Sequence, residues 1–248
     1  MHAQTIDRVI QQLDTIIDWT RSNNSRLGYF AALYRKVTVR VKEGIADGFF
    51  DDGERMERLD VLFANRYLEA FAQYQNNEAP TTSWQIAFDA SRQWWPIVLQ
   101  HLLLGMNAHI NLDLGIAAAR TSPGDAVHDL KSDFNKINEI LAALVDGVER
   151  ELAHIWPILG LLDRVAGRTD EALINFSMKK ARDHAWNVVE TLAPLEATEQ
   201  MSQIDHLDKE IAALGRKVRH PGLIIGTVTK TIRLGERGTI PQIIDILK

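Results

Sequence analysis

Residues 100–120, QHLLLGMNAHINLDLGIAAAR, are apolar or small on almost every side of any helix they can form. An ordinary surface helix carries charge along one face, so a helix like this one needs other helices around it. The stretch predicts an all-α, single-domain multi-helix bundle with a central buried helix over about residues 95–120. Into it are set His101, Asn107, His109, Asn111 and Asp113. Burying such groups costs free energy unless each finds a hydrogen-bond partner, a counter-charge or a metal.

The remaining chain supplies the shell. Ile6, Val9, Ile10, Leu13, Ile16 and Ile17 follow the i, i+3, i+4 spacing of an amphipathic helix. Phe30, Leu33, Tyr34, Val37, Val41 and Ile45 form a second stripe that stops near Asp47-Gly48. Met56, Leu59, Phe63, Tyr67, Ala70 and Phe71 form a third, with Asp51 or Asp52 placed to cap its start. Residues 84–91 predict a short helix. Pro96 is placed in the first turn of the central helix, where proline is tolerated. Residues 125–155 predict a long helix on Leu130, Phe134, Ile137, Leu141, Leu144, Val148 and Leu152. Thr169 reads as the cap of another, bearing Phe176, Ala181, Ala185, Val188, Val189 and Leu192. A linker over 194–201 and a helix over 202–214 follow. All 248 residues are expected in one domain, with 215–248 a less regular appendage, as short helices or a hairpin.

Composition narrows the function classes. Hydrophobic content of 46% and charged content of 25% are those of an ordinary globular chain, which argues against disorder. Net charge is −5 and basic residues are dispersed, so no nucleic-acid partner is expected. Arg216, Lys217, Arg219, Lys230, Arg233 and Arg237 crowd the last third but alternate with apolar and small residues, and read as a solvated face. With no cysteine, disulfides, thiolate metal sites and cysteine nucleophiles are excluded. No secretory signal is visible at the start. The longest apolar run, 94–108, is interrupted by Pro96, Gln100, His101, Gly105 and Asn107 and falls short of the roughly 20 residues that span a bilayer. No transmembrane segment and a cytoplasmic location are the expectation.

The chemistry concentrates on His109 and Asp113. Four residues apart, they share a helix face, and Gly105 one turn earlier leaves room for a ligand or a neighbouring helix. Such a pair can offer a nitrogen and an oxygen to one divalent metal, zinc or similar. Alternatively, Asp113 can orient His109 as a general base, or the two can form a core hydrogen bond. A metal site needs further ligands, for which Asp133, on its helix's apolar stripe, and His184 are the candidates. Asp60 borders an apolar face as well. His101 lies roughly 12 Å along the axis from His109, too far to share an ion. For a ligand pocket the candidates are Asn107, His101, Trp95 and Arg182, with Trp84 and Trp94 beside them. The Asp51-Asp52-Gly53-Glu54 string is explained by helix capping, and no G-x-S-x-G elbow, P-loop or G-x-G-x-x-G occurs.

GMNAHINLDLGIAAA, preceded by FFDDGERMERLDVLFANRY and followed by ARDHAW, resembles an uncharacterised bacterial domain-of-unknown-function family of helical proteins, number 5995 of that series. The resemblance spans about residues 34–186, with NAHIN-x-DL its most specific element. It implies a helical fold and no activity. A fainter similarity, to the all-helical zinc phospholipase C and single-strand nuclease group, rests on the H-x-x-x-D pair. The chain lacks that group's full histidine set and N-terminal tryptophan ligand.

Three functions fit these residues. One is a metal-dependent hydrolase, with His109 and Asp113 as ligands, Asp133 and His184 completing the set, and a metal-bound water as nucleophile. Another is a non-catalytic module binding a small molecule or lipid, its apolar pocket lined by tryptophans and given one polar end by His109 and Asn107. A protein–protein adaptor with a polar-stitched core is a third.

Overall fold

The structure, a computed structural model, describes residues 2–137, 140 and 178–248. Among these residues there is no strand, and the fold is an all-α multi-helix assembly. In chain order the helices are α1 (Ile6–Ser22), α2 (Gly28–Ala46), α3 (Gly53–Gln75), α4 (Thr82–Ser91) and α5 (Val98–Ala108). A π-helical turn (His109–Leu114), α6 (Gly115–Thr121), a 3₁₀ turn (Gly124–Ala126) and α7 (residues 127–137) follow. The last four are α8 (Met178–Leu192), α9 (Ala197–Arg219), α10 (Leu223–Gly235) and α11 (Ile240–Leu247).

Local chemistry sets several boundaries. The Thr5 hydroxyl accepts from the Arg8 N–H at 3.3 Å and starts α1. Asn24 turns the chain after α1 at φ 50°, and Gly48 does so after α2 at φ 68°. The latter is a left-handed conformation that glycine adopts without steric cost. Of the two aspartates, Asp52 is the cap of α3, accepting from Arg55 N–H at 2.9 Å.

The unit α5–π turn–α6 is the axis of the fold. It packs against α2, α3, α4, α8 and α9, while α1 and α11 lie against α2. Val98–Thr121, 24 residues long, is apolar enough by composition to cross a membrane, longer than the run read from the sequence. Its most apolar window is 94% buried inside the fold, the setting of a core helix. Burial explains the all-round apolar composition.

Two expectations change, and one open choice, short helices or a hairpin for the C-terminal segment, is decided for helices. Pro96 precedes the helix rather than entering its first turn, because residues 94–96 form a bend and α5 begins at Val98. The Val98 N–H is capped from afar by Glu236 at 2.8 Å. Residues 215–248 are the end of α9 and two regular helices, neither a hairpin nor an irregular tail. Ile232 of α10 packs on Ile97, and Ile243, Ile244 and Leu247 of α11 join the core of α1 and α2. The long helix α9 starts at Ala197 rather than 202, since Glu199 caps the Glu196 N–H at 3.2 Å and draws the former linker into it. Leu130, Phe134 and Ile137 are buried as their spacing predicts. Leu141, Leu144, Val148, Leu152, Thr169 and Phe176 lie outside the described residues.

Gly105 fixes how closely α2 approaches α5. A Cβ there would sit 2.4 Å from the Phe30 ring and 3.0 Å from its Cβ, so the ring occupies the space a side chain would fill. Gly105→Ala is therefore expected to destabilise the fold by about 1–3 kcal/mol through overpacking. Urea denaturation measures it, and an unchanged midpoint would mean that α2 shifts freely.

Candidate functional site

His109 and Asp113 sit in the π-helical turn at 2% and 0% exposure. Such turns are rare, occur mostly as single bulges within α-helices, and are frequent at functional sites. His109 Nδ1 lies 3.2 Å from Asp113 Oδ2. The same carboxylate accepts from Arg66 Nε at 2.6 Å and from Trp84 Nε1 at 2.8 Å. Three donors from three directions therefore converge on one buried anion. Burial works against its charge, but Arg66, His109 and Trp84 outweigh it and hold the Asp113 carboxyl below the ordinary range. A carboxylate only accepts, so His109 carries its proton on Nδ1 and presents a bare Nε2. Burial keeps this imidazole neutral by pulling its pKa below 6.5 against the pull of Asp113.

Aromatic rings enclose that imidazole. Phe63 stacks on it at 3.6 Å between centroids, and Tyr34 meets it edge-on at 4.4 Å. Phe30, Trp84 and Tyr67 stand 5.6, 5.8 and 6.2 Å away. Helix spacing produces the cage: Phe30 and Tyr34 are four apart on α2, and Asp60, Phe63 and Tyr67 share a face of α3. His109 Nε2, Tyr34 OH and Tyr67 OH there, and Asp60 Oδ2 on the same face of α3, are buried without a hydrogen-bond partner among the described residues. Burial raises the pKa of both phenols. It pushes Asp60 up to about 7, with the charge of Glu57 adding to the effect.

A cavity of about 20 Å³ opens next to the cage. Its floor is Phe30, Tyr67, Trp84, Phe88, His101 and Gly105, all buried, and half-buried Arg26, Leu27, Ala87 and Ser91 form its mouth. His101 Nε2 is another buried atom without a partner. Burial lowers the pKa of this imidazole to about 3, against the opposing pull of the Pro96 backbone, so the ring is neutral.

The other sequence candidates stand apart. Asp133, fully buried on α7, accepts from Asp51 N–H at 2.7 Å, Asp52 N–H at 3.0 Å and Arg55 Nη2 at 3.0 Å, and so ties α7 to the start of α3. His184 is half-buried on α8. Arg182 lies over the Phe134 ring at 4.4 Å and donates to the Phe134 carbonyl. Asn107 donates to the Ile211 carbonyl at 2.9 Å and accepts from Asn111, which ties α5 to α9. Trp95 pairs with His220 at 5.3 Å, and Trp94 is exposed. Of the named candidates, the structure gathers His109, Asp113 and Trp84, with His101 at the adjoining cavity. No three His, Asp or Glu side chains among the described residues are placed to hold one metal ion. His109, Asp113, Asp133 and His184 therefore do not fit a common zinc-like site, and both carboxylates already hold guanidinium groups.

Sequence reasoning missed Arg66, Tyr34, Tyr67 and Phe63 as site residues. Tyr34, Phe63 and Tyr67 stand on core stripes there, and Arg66 carries no reading at all. The available signal was that Phe63, Arg66 and Tyr67 fall within one turn of each other, three and four apart.

A family model described as a family of unknown function (DUF5995) matches residues 6–221, which include every residue of the chamber. No curated protein and no solved structure matches the chain.

A pH dependence follows from Asp60. Its folded pKa, about 7, lies above the ordinary 3.8, so the folded chain favours the protonated form. The stability this confers is complete below pH 3.8 and lost as pH rises through about 7. Asp60→Asn should gain on the unmodified chain as pH rises across that window, by about 4 kcal/mol at most. Paired urea titrations from acid to mildly alkaline pH measure the gap. A constant difference between the two chains would show that Asp60 ionises normally.

Proposed function

The chain belongs to the DUF5995 family, a family of unknown function, and we propose that it is a non-catalytic binding module that takes a small hydroxyl-bearing molecule into the aromatic chamber beside α5. One observation carries this reading. His101 Nε2, His109 Nε2, Tyr34 OH and Tyr67 OH, four buried polar atoms without partners, belong to rings that pack about Phe30 or share its cavity. Native interiors leave few such groups unpaired, and their concentration in one place calls for a specific explanation.

The cavity sets the ligand's chemistry. His101 Nε2 is the unpartnered imidazole nitrogen among its lining residues, and we take it as the acceptor that the entering group's hydrogen bond reaches. A carboxylate or an ether has no such hydrogen to give. A cavity of about 20 Å³ has room for one water-sized group. A terminal hydroxyl enters, while an apolar body rests at the mouth on Leu27 and Ala87, with Arg26 alongside. Orientation by a few polar groups within an apolar lining is the usual design of small-molecule sites. The metal-dependent hydrolase reading lacks such support, since its four donors do not converge among the described residues.

Hexanol and its methyl ether share a body and differ in the O–H. Hexanol should raise the thermal midpoint of the chain, the ether should not, and His101→Leu should abolish the hexanol response. No response to hexanol, or an equal response to the ether, would refute donor recognition.

A further inference from the structure

The exposed face of α10 points to a partner of a different kind. Its buried side is Ile225, Thr229 and Ile232. At 100° per residue, Leu223, Ile224, Thr227, Lys230, Thr231 and Leu234 fall on the opposite side, and all six are exposed. Leu223 is 93% exposed, Ile224 60% and Leu234 79%, and the stripe is about 16 Å long. Trp94 extends it at 59% exposure, because Arg233 beside Leu234 donates to the Trp94 carbonyl at 2.6 Å and lies 5.0 Å from its ring centroid. These are four of the seven exposed large hydrophobic side chains among the described residues. Single exposed apolar residues need no explanation, whereas a contiguous group marks an interaction surface.

Charge identifies the occupant. Residues 216–237 hold Arg216, Lys217, Arg219, Lys230, Arg233 and Arg237 against one acid, Glu236, in a chain whose net charge is −5. Arg216, Lys217, Lys230 and Arg237 are exposed. A second copy meeting this face through a two-fold axis would set basic residues against basic residues. Leucine and isoleucine beside lysine on an amphipathic helix, flanked by an exposed tryptophan, match the face that enters the headgroup region of an anionic bilayer. We infer that α10 and Trp94 dock on a membrane surface carrying anionic lipid. The face lies near the chamber mouth, since the charges of Arg233 and Glu236 both act on Arg26. Its helix, α10, lies beyond the residues that the family model matches, and Trp94 lies within them.

Cosedimentation of the full chain with vesicles tests the inference independently of any chamber ligand. The chain should pellet with vesicles of phosphatidylcholine containing about one-third phosphatidylglycerol, but not with phosphatidylcholine alone, and high salt should release it. Replacing Leu223, Ile224 and Leu234 together by serine removes only exposed side chains, so helical content should be unchanged while vesicle affinity falls by about tenfold or more. Lys230→Glu should weaken binding to anionic vesicles alone. No pelleting with anionic vesicles, or pelleting that the triple serine variant leaves unchanged, overturns the inference. So does a dimer that this variant disrupts in a chain that ignores vesicles.

Discussion

One buried carboxylate organises the interior. Asp113, at zero exposure, is held by Arg66 of α3, Trp84 of α4 and His109 of its own π-helical turn. An isolated carboxylate in such a place would simply take up a proton. Here a guanidinium and two further donors keep it ionised, and in doing so fix α3 and α4 against the central unit. Removing one partner of a buried charged pair typically costs far more than the pair contributes relative to an apolar core. The arrangement therefore specifies geometry more than it adds stability. Its chemical consequence is the tautomer of His109, whose bare nitrogen is turned into a ring of aromatic side chains.

The fold was legible because one segment left no alternative. A helix apolar on all sides has to be enclosed, and residues 98–121 are enclosed. The stripes on α1, α2 and α3 name the residues that enclose it. Capping chemistry placed the start of α3 at Asp52, one of the two aspartates expected there. The boundaries that were misread depend on partners distant in sequence. Val98 begins α5 with its N–H on Glu236, and no local pattern announces a cap 138 residues away. The C-terminal helices are rich in β-branched residues and glycine, which left helix and hairpin equally open until packing on Ile97 and on α1 decided between them.

The site was half legible. Spacing brought His109 and Asp113 together, and the polar intrusions in an apolar helix marked the correct segment. The remaining residues were assigned by type rather than by position. Asp133 sits on an apolar stripe, as a ligand would, yet it serves the backbone of Asp51 and Asp52. Arg66, which no sequence pattern singled out, supplies the counter-ion. The π turn has no simple sequence signature, and the cage arises from ordinary core spacing on two helices. The basic residues of the last third, read as a solvated face, acquire a further meaning once Leu223, Ile224 and Leu234 are seen exposed among them.

The most direct test of the Asp113 account is ¹⁵N NMR of the His109 imidazole. The account predicts a neutral ring protonated on Nδ1, with Nε2 bare, unchanged from neutral pH down through the ordinary histidine range. A ring protonated on Nε2, or one that acquires charge near its ordinary pKa, would contradict it.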